Sequence, residues 1–351
     1  MTRALDLAWR GWGRVQPNPL VGAVVVSDGV MVGEGWHAEY GGPHAEVVAL
    51  AQAGPAARGA TVVVTLEPCA HHGKQPPCAD ALIAAGVQRV VVALPDPNPE
   101  AAGGSARLRA AGVDVTLGLL ERTAADQNAA FLHRHRDNTR PFVALKLATT
   151  LDGRIADANG NSRWISGPEA REYVHWLRAG FDAIGVGGVT ARADDPSLTV
   201  RGPIRPRVTP LRVVFAADGD LPATLDVVRT ARATPTLAIV APTAKEARLG
   251  PVETAGVEIM RSSDIAQCLA SLRSRGVSSL LVEGGGRLAG ALLAAGVVDR
   301  YYWVQSPLWL GMGAVPATAG VPGTGLADAS RWRVSDRRAL GEDTLLVVDR
   351  A

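Results

Sequence analysis

His44-Ala45-Glu46 is followed by Glu67-Pro68-Cys69 and then by Cys78. An imidazole and two thiols form a zinc ligand set, and three protein ligands leave a fourth position for water, whose pKa the ion lowers to roughly 7. A carboxylate beside the ion, not ligating it, can carry a proton from that water to a leaving group. His44 and Glu46, on one turn, supply a ligand and that proton carrier, and Cys69 and Cys78 complete the metal shell. Both cysteines read as abutting helix starts, where the macrodipole favours thiolate. The set has the form of the zinc deaminase signature, whose usual cysteines are Cys-x-x-Cys. Here Cys69 and Cys78 lie nine positions apart. His37, His71 and His72 are competing ligand candidates, and Cys268 reads as a core thiol. A lone His-x-Glu is commonly a polar helix start and a lone cysteine an inert core residue; only the ordered set points to a metal.

A second constellation lies far downstream. Leu280-Leu281-Val282-Glu283 runs into Gly284-Gly285-Gly286-Arg287, a strand entering a glycine turn and then a helix. Glycines there let backbone N–H groups approach a phosphate at a helix N-terminus, where the dipole favours an anion. The same turn is also a common structural device. The second half carries no Gly-x-Gly-x-x-Gly after its first strand, so a standard dinucleotide fold is not supported.

These residues need elements to hold them. Val21–Val26, Thr61–Leu66 and Gln88–Leu94 read as buried strands, being short, β-branched and bounded by turn residues. Between them 45–53, 79–85 and 105–111 read as helices, and Leu5, Ala8, Trp9 and Trp12 mark an amphipathic start. His133–Arg140, polar, basic and ended by Pro141, is the expected linker. Alternation then resumes, with strands at 142–147, 183–186, 211–215, 236–240 and 279–282 and helices at 169–178 and 265–273. Arg201–Leu211 reads as a loop, and 300–305 with 344–348 as an antiparallel pair at a sheet edge. Alternating strands and helices predict an α/β fold in two domains, 1–140 and 141–351.

Composition narrows the partners. With 351 residues the chain exceeds the size of a single core, and its formal net charge of +2 offers no basic stripe for nucleic acid. The first residues lack a signal-peptide core because Arg3, Asp6, Arg10 and Arg14 interrupt them, and no apolar run is long enough to span a bilayer. Three cysteines do not make a disulfide framework, which favours a reducing cytoplasm. The expected partner is a small molecule, with neither nucleic acid nor membrane.

The N-terminal stretches Pro17-Asn18-Pro19-Leu20-Val21-Gly22, His44-Ala45-Glu46, Thr65 to Gly73, Pro76-Pro77-Cys78 and Asp96-Pro97-Asn98-Pro99 resemble the bifunctional riboflavin biosynthesis family RibD, also called RibG. From about Pro141 onward, Leu145-Lys146-Leu147-Ala148, Thr150 to Arg154, Ser162 to Ile165, Asp194 to Arg201 and Val282 to Gly285 resemble that family's reductase half. The resemblance implies a cytidine-deaminase-like three-layer domain followed by a dihydrofolate-reductase-like domain. It implies one zinc per chain, with hydrolytic deamination of 2,5-diamino-6-(5-phosphoribosylamino)pyrimidin-4(3H)-one. NADPH would then reduce the ribosyl side chain of the resulting uracil to ribityl. Carried over by position, Asn18, His37, His71, Lys74, Asp96 and Asn98 hold the first substrate. Ser162, Arg178, Leu198, Arg201 and Glu283 hold the second, with Arg178 and Arg201 suited to clamp a phosphate. The cofactor would touch Ala148, Trp164, Thr190, Asp194 and the turn Gly285, Gly286, Arg287, Leu288, Ala289, Gly290 and Ala291. Lys146, Asp194 and Glu283 are expected nearest the reacting carbon, although Lys146 also reads as a solvated strand-edge charge. Where the family often has a hydroxyl or acidic residue after the third reductase strand, this chain has Phe215-Ala216-Ala217-Asp218. A homo-oligomer, dimer or higher, is a further family expectation.

Two rival readings make different demands. A nucleoside or nucleic-acid deaminase with an unrelated partner domain needs a basic, aromatic-lined groove, which the near-neutral charge and sparse Phe and Tyr disfavour. A structural zinc module needs four protein ligands and no role for Glu46.

Overall fold

The computed structural model describes residues 1–350. The chain divides into two compact units, Met1–Asp137 and the remainder from Asn138.

In the first unit, α1 (Thr2–Ala8) precedes β1 (Gly22–Ser27), β2 (Val30–Trp36), α2 (Ala45–Ala53), β3 (Thr61–Leu66), α3 (Cys78–Ala85), β4 (Arg89–Leu94) and α4 (Gly104–Ala110). Next come β5 (Asp114–Leu117), α5 (Glu121–Gln127) and α6 (Ala129–Arg136). The sheet order is β2-β1-β3-β4-β5, with β1 antiparallel to both neighbours and β3, β4 and β5 parallel. Alternate residues of β1 face opposite sides, as strand geometry requires. Val24 packs with Ala4 and Leu7 of α1, while Ala23 and Val25 join the cluster holding Ala45 and Ala49 of α2. Helices therefore cover both faces, giving three layers. Val62, Val64, Val90 and Val92 are fully buried; each such side chain contributes on the order of 1.5–3 kcal/mol.

The β2 strand is absent from the sequence expectation for a physical reason. Its Gly33 and Gly35 lie so close to α2 that a Cβ would stand 2.3 Å from the Ala49 carbonyl and 2.5 Å from that of Ala45. The close helix removes the β-branched residues by which strands are read. The expected linker is also corrected: His133–Arg136 forms the last turn of α6, with His133 buried.

The second unit runs β6 (Phe142–Thr149), β7 (Arg154–Ala156), α7 (Pro168–Arg178), β8 (Ala183–Gly187), α8 (Gly188–Asp194), β9 (Leu211–Phe215), α9 (Asp226–Arg229) and β10 (Thr236–Val240). It continues with α10 (Glu246–Thr254), β11 (Glu258–Arg261), α11 (Ile265–Ser274), β12 (Ser279–Glu283), α12 (Gly286–Ala294) and β13 (Arg300–Gln305). The last elements are β14 (Val315–Pro316), β15 (Trp332–Leu340) and β16 (Asp343–Arg350). Nine strands form one sheet in the order β11-β10-β9-β8-β12-β6-β13-β16-β15. The first seven are parallel, and β16 and β15 are antiparallel additions. One face packs Val213 and Ile239 with α11 and α12; the other packs Val214, Ala238 and Val240 with Val227 and Leu249. The β13–β16 pair is antiparallel as expected, but β15 occupies the edge. Because seven strands run the same way, their carboxyl ends gather along one rim, where open α/β sheets bind ligands.

Candidate functional site

His44 caps α2, and Cys78 opens α3. Cys69 follows β3 in a loop, so only Cys78 abuts a helix start in sequence. The fold nevertheless brings that start to Cys69, whose Sγ accepts the Cys78 N–H at 3.3 Å. His44 Nδ1 lies 3.2 Å from Cys78 Sγ and 3.6 Å from Cys69 Sγ, and the three ligand atoms fall within 4.8 Å of one another. His71 and His72, in the loop between the cysteines, are exposed and outside this group. His37 is also outside it.

The donor chemistry fits a dication. Hydrogen bonding between the two thiols pulls Cys69 down to about 4 and pushes Cys78 up, so the pair retains one proton. Two thiolates at this separation need a cation between them, which zinc supplies. Glu46, in the first turn of α2, is 3% exposed, and burial pushes its carboxyl up. It stands against Cys78 without belonging to the ligand group.

Around this centre, His37 is buried, and burial lowers its pKa. Its Nδ1 lies 3.1 Å from the Pro43 carbonyl, which can only accept, so the ring proton sits there. Its Nε2 then accepts from the Asn18 side-chain amide nitrogen, 3.1 Å away. Lys74, exposed, places Nζ 4.0 Å over the Tyr40 ring. Asp96 Oδ1 accepts the Asn98 N–H at 2.9 Å, and Asn98 Oδ1 accepts that of Glu100 at 3.2 Å. Both therefore cap their Pro-rich turn. Glu67 was not expected to matter, yet its carboxylate accepts from Asp96 N–H at 3.2 Å and Ser105 N–H at 2.9 Å. It ties the Cys69 loop to the ends of β4 and α4. The signal was its place beside Pro68-Cys69, but its partners are set by tertiary contact.

The second unit has a cleft of about 1570 Å³ along the carboxyl rim of its parallel strands. Lys146, Ala148, Ser162, Trp164, Arg178, Thr190, Asp194, Leu198, Arg201 and Glu283 line it, as do Gly285, Gly286, Arg287, Leu288 and Ala291. Ala289 and Gly290 do not. Ala289 turns into the core, and Gly290 lies so near the Ala319 carbonyl that a Cβ would stand 1.8 Å from it. Lys146 is on a central strand, directly across from Glu283 of β12, and not at an edge. Burial lowers its pKa, which Glu283 partly opposes.

Arg178, expected as a phosphate clamp, lines the cleft and is held there by three hydrogen bonds. Its Nε and Nη2 donate to Glu283 at 2.6 and 2.9 Å, and its Nη1 to the Thr199 carbonyl at 2.9 Å. Burial works against the Glu283 carboxylate, but Arg178 and then Lys146 win and lower its pKa. The exposed Arg201, bonded to Ser197 Oγ at 2.6 Å, remains available for an anion. Ser162 donates to Asp194 at 2.8 Å, and Arg171 sits 4.6 Å over the Trp164 ring, which is 66% exposed to the cleft. Gly284 and Gly285 have φ of +72° and +86°, and a Cβ on Gly285 would meet Thr190 Oγ1 at 2.9 Å. The turn is therefore open to a ligand's closest approach, with the α12 N-terminus behind it.

The family model described as the cytidine and deoxycytidylate deaminase zinc-binding region matches residues 1–94. The RibD C-terminal domain matches residues 141–346. The chain is 42% identical to riboflavin biosynthesis protein RibD of Escherichia coli (strain K12), over 99% of this chain and 97% of that one. The structure of Acinetobacter baumannii RibD (form 1) is similar with a TM-score of 0.83 at 37% identity, covering 100% of this chain and 97% of that one. A diaminohydroxyphosphoribosylaminopyrimidine deaminase/5-amino-6-(5-phosphoribosylamino)uracil reductase of Thermotoga maritima gives a TM-score of 0.83 at 34% identity, with 100% and 97% coverage. The first unit is thus cytidine-deaminase-like and the second dihydrofolate-reductase-like. A metal-ligand trio beside a buried glutamate and a glycine-turned cleft in a second unit, matched end to end by these relatives, establish that the chain belongs to the RibD family of riboflavin biosynthesis enzymes.

Proposed function

We propose that residues 1–140 remove the 2-amino group of 2,5-diamino-6-(5-phosphoribosylamino)pyrimidin-4(3H)-one and residues 141–351 reduce the product's ribosyl chain to ribityl. His44, Cys69 and Cys78 would hold zinc, which supplies a Lewis acid that brings the pKa of water near 7. Glu46 carries the proton from water to the departing ammonia; its buried position beside the ligand trio supports that role. Asn18 presents its amide oxygen to the pyrimidine edge because His37 holds its nitrogen. His71, Lys74, Asp96 and Asn98 complete the pocket, with Lys74 placed for the phosphate.

In the second unit Ala148, Trp164, Thr190, Asp194 and the Gly285 turn would hold NADPH, which would supply the reducing equivalents. Glu283, kept ionised by Arg178, accepts hydrogen bonds from the ribosyl hydroxyls and is a poor proton donor. Lys146, whose ammonium is disfavoured by burial, is the better source of the proton. Ser162, Leu198 and Arg201 complete the substrate contacts, Arg201 meeting the phosphate while Arg178 positions Glu283.

Among the described residues no helix is long and apolar enough to cross a membrane. A site built on two free cysteines suits a reducing cytoplasm, and a homo-oligomer acting on small molecules alone completes the reading. The observation that carries the proposal is the convergence of His44, Cys69 and Cys78 beside Glu46. The test follows ammonia release and NADPH oxidation in parallel on the diaminopyrimidine nucleotide. Metal stripping should stop the first while leaving reduction of the deaminated product intact. Ammonia release from the metal-free chain would overturn the first assignment.

A further inference from the structure

The second unit's cleft extends well past its reacting end. From Lys146 and Glu283 it passes the Gly284–Gly286 turn and continues along the ends of β9 and β11, where Ala217, Asp218 and Ser262 line it. A dinucleotide laid along that rim with its reacting ring at Lys146 and Glu283 would meet the glycine turn at the α12 N-terminus with its pyrophosphate. Its adenosine would then fall at the β9 end.

The floor there is Ala216 and Ala217, which have no side-chain group to bond a ribose hydroxyl. Arg192 of α8 lines the cleft at that end, beside Asp218. Its Nη1 donates to the Asp220 carbonyl at 2.7 Å, its one short contact. The Asp218 carboxylate stands 3.5 Å away and that of Asp220 3.8 Å away. Both aspartate side chains are 49% exposed, so these ion pairs are loose, and beyond them Asp218 Oδ1 accepts the Asp220 N–H at 3.2 Å. Two carboxylates face this guanidinium, and the exposed Arg248 donates to the Asp218 carbonyl at 3.3 Å. A phosphate arriving at Arg192 would gain a planar, two-pronged donor only if Asp218 swings out to solvent.

We infer that Arg192 discriminates between the phosphorylated and unphosphorylated nicotinamide dinucleotides by taking the adenosine 2′-phosphate in place of Asp218, which opposes it. The inference rests on the reductase reading of the cleft and adds to it the residues that choose the cofactor.

The test titrates the full-length protein calorimetrically with 2′,5′-ADP and with 5′-AMP, and compares kcat/KM for NADPH and NADH. Arg192→Ala should weaken 2′,5′-ADP about tenfold or more, the weight of one charge-assisted phosphate contact, while 5′-AMP changes less than about threefold. The NADPH-to-NADH ratio should fall in step. Asp218→Asn should move both readings the other way, tightening 2′,5′-ADP about threefold or more. Equal 2′,5′-ADP binding by the Arg192→Ala and unmodified chains would overturn the inference, as would an Asp218→Asn variant that binds it more weakly. Should Arg192→Ala lose both nucleotides, the Asp218→Asn result decides. If the unmodified chain binds neither NADPH nor 2′,5′-ADP, the reductase reading falls too. If it binds NADPH and the variants do not differ from it, only the role of Arg192 falls.

Discussion

Glu46 and Glu283 are both buried carboxylates, and their surroundings push them in opposite directions. Burial raises Glu46, which suits a group that picks up and releases a proton, whereas Arg178 and Lys146 hold Glu283 below its ordinary 4.5. Glu46→Gln should retain zinc by elemental analysis and lose ammonia release by about 10²–10⁴-fold, with reduction of the deaminated product unchanged. Glu283→Ala strands the Arg178 guanidinium and should cost about 3–5 kcal/mol of second-unit stability in denaturant titrations near neutral pH. The sign with pH follows from linkage. A carboxyl whose folded pKa is depressed stabilises above the unfolded value and loses that contribution as pH falls through the folded one. The gap between wild type and Glu283→Ala should therefore be full at pH 7 and shrink progressively below about 4.5. A gap that stays constant down to pH 3 would mean that the ion pair does not carry the effect.

At the scale of elements, glycines mark where chain segments meet. Gly104 opens α4 against the loop that carries Cys69, and a Cβ there would stand 1.7 Å from the Pro68 carbonyl. Gly104→Ala must displace that loop, so zinc affinity in competition with a chelator should fall at least tenfold, the scale of losing support around a metal ligand. Gly285→Ala should raise the KM for NADPH, because φ of +86° and the Thr190 contact both resist a side chain. Strands rich in Val and bounded by turns were legible, and β3, β9 and β10 begin and end where the pattern places them. The glycine-bearing β2 and the polar β15 were not, since one is shaped by a helix lying on it and the other by its edge position. The basic run from His133 reads as a linker because it is polar and ends at Pro141, yet the buried His133 anchors its first four residues as helix.

For the molecule as a whole, two compact units with separate cores predict two separable thermal transitions. Zinc removal should lower the first unit's transition in scanning calorimetry. NADPH at a hundred times its Kd should add about 2.7 kcal/mol to the second. A chelator that shifts both transitions equally would contradict this independence.

Residue type and order alone were enough to expose the zinc ligands, their glutamate and the glycine turn, because metal coordination and close backbone approach each tolerate very few side chains. Partnership across long separations was not readable. Glu283 lies 105 residues from Arg178, and nothing local in the chain says that a guanidinium suited to phosphate will also pair with that carboxylate. The same holds for Glu67 bridging two loops and for Lys146 standing in mid-sheet. Those outcomes depend on which strands pair, and strand order is settled by packing of both sheet faces over the entire unit.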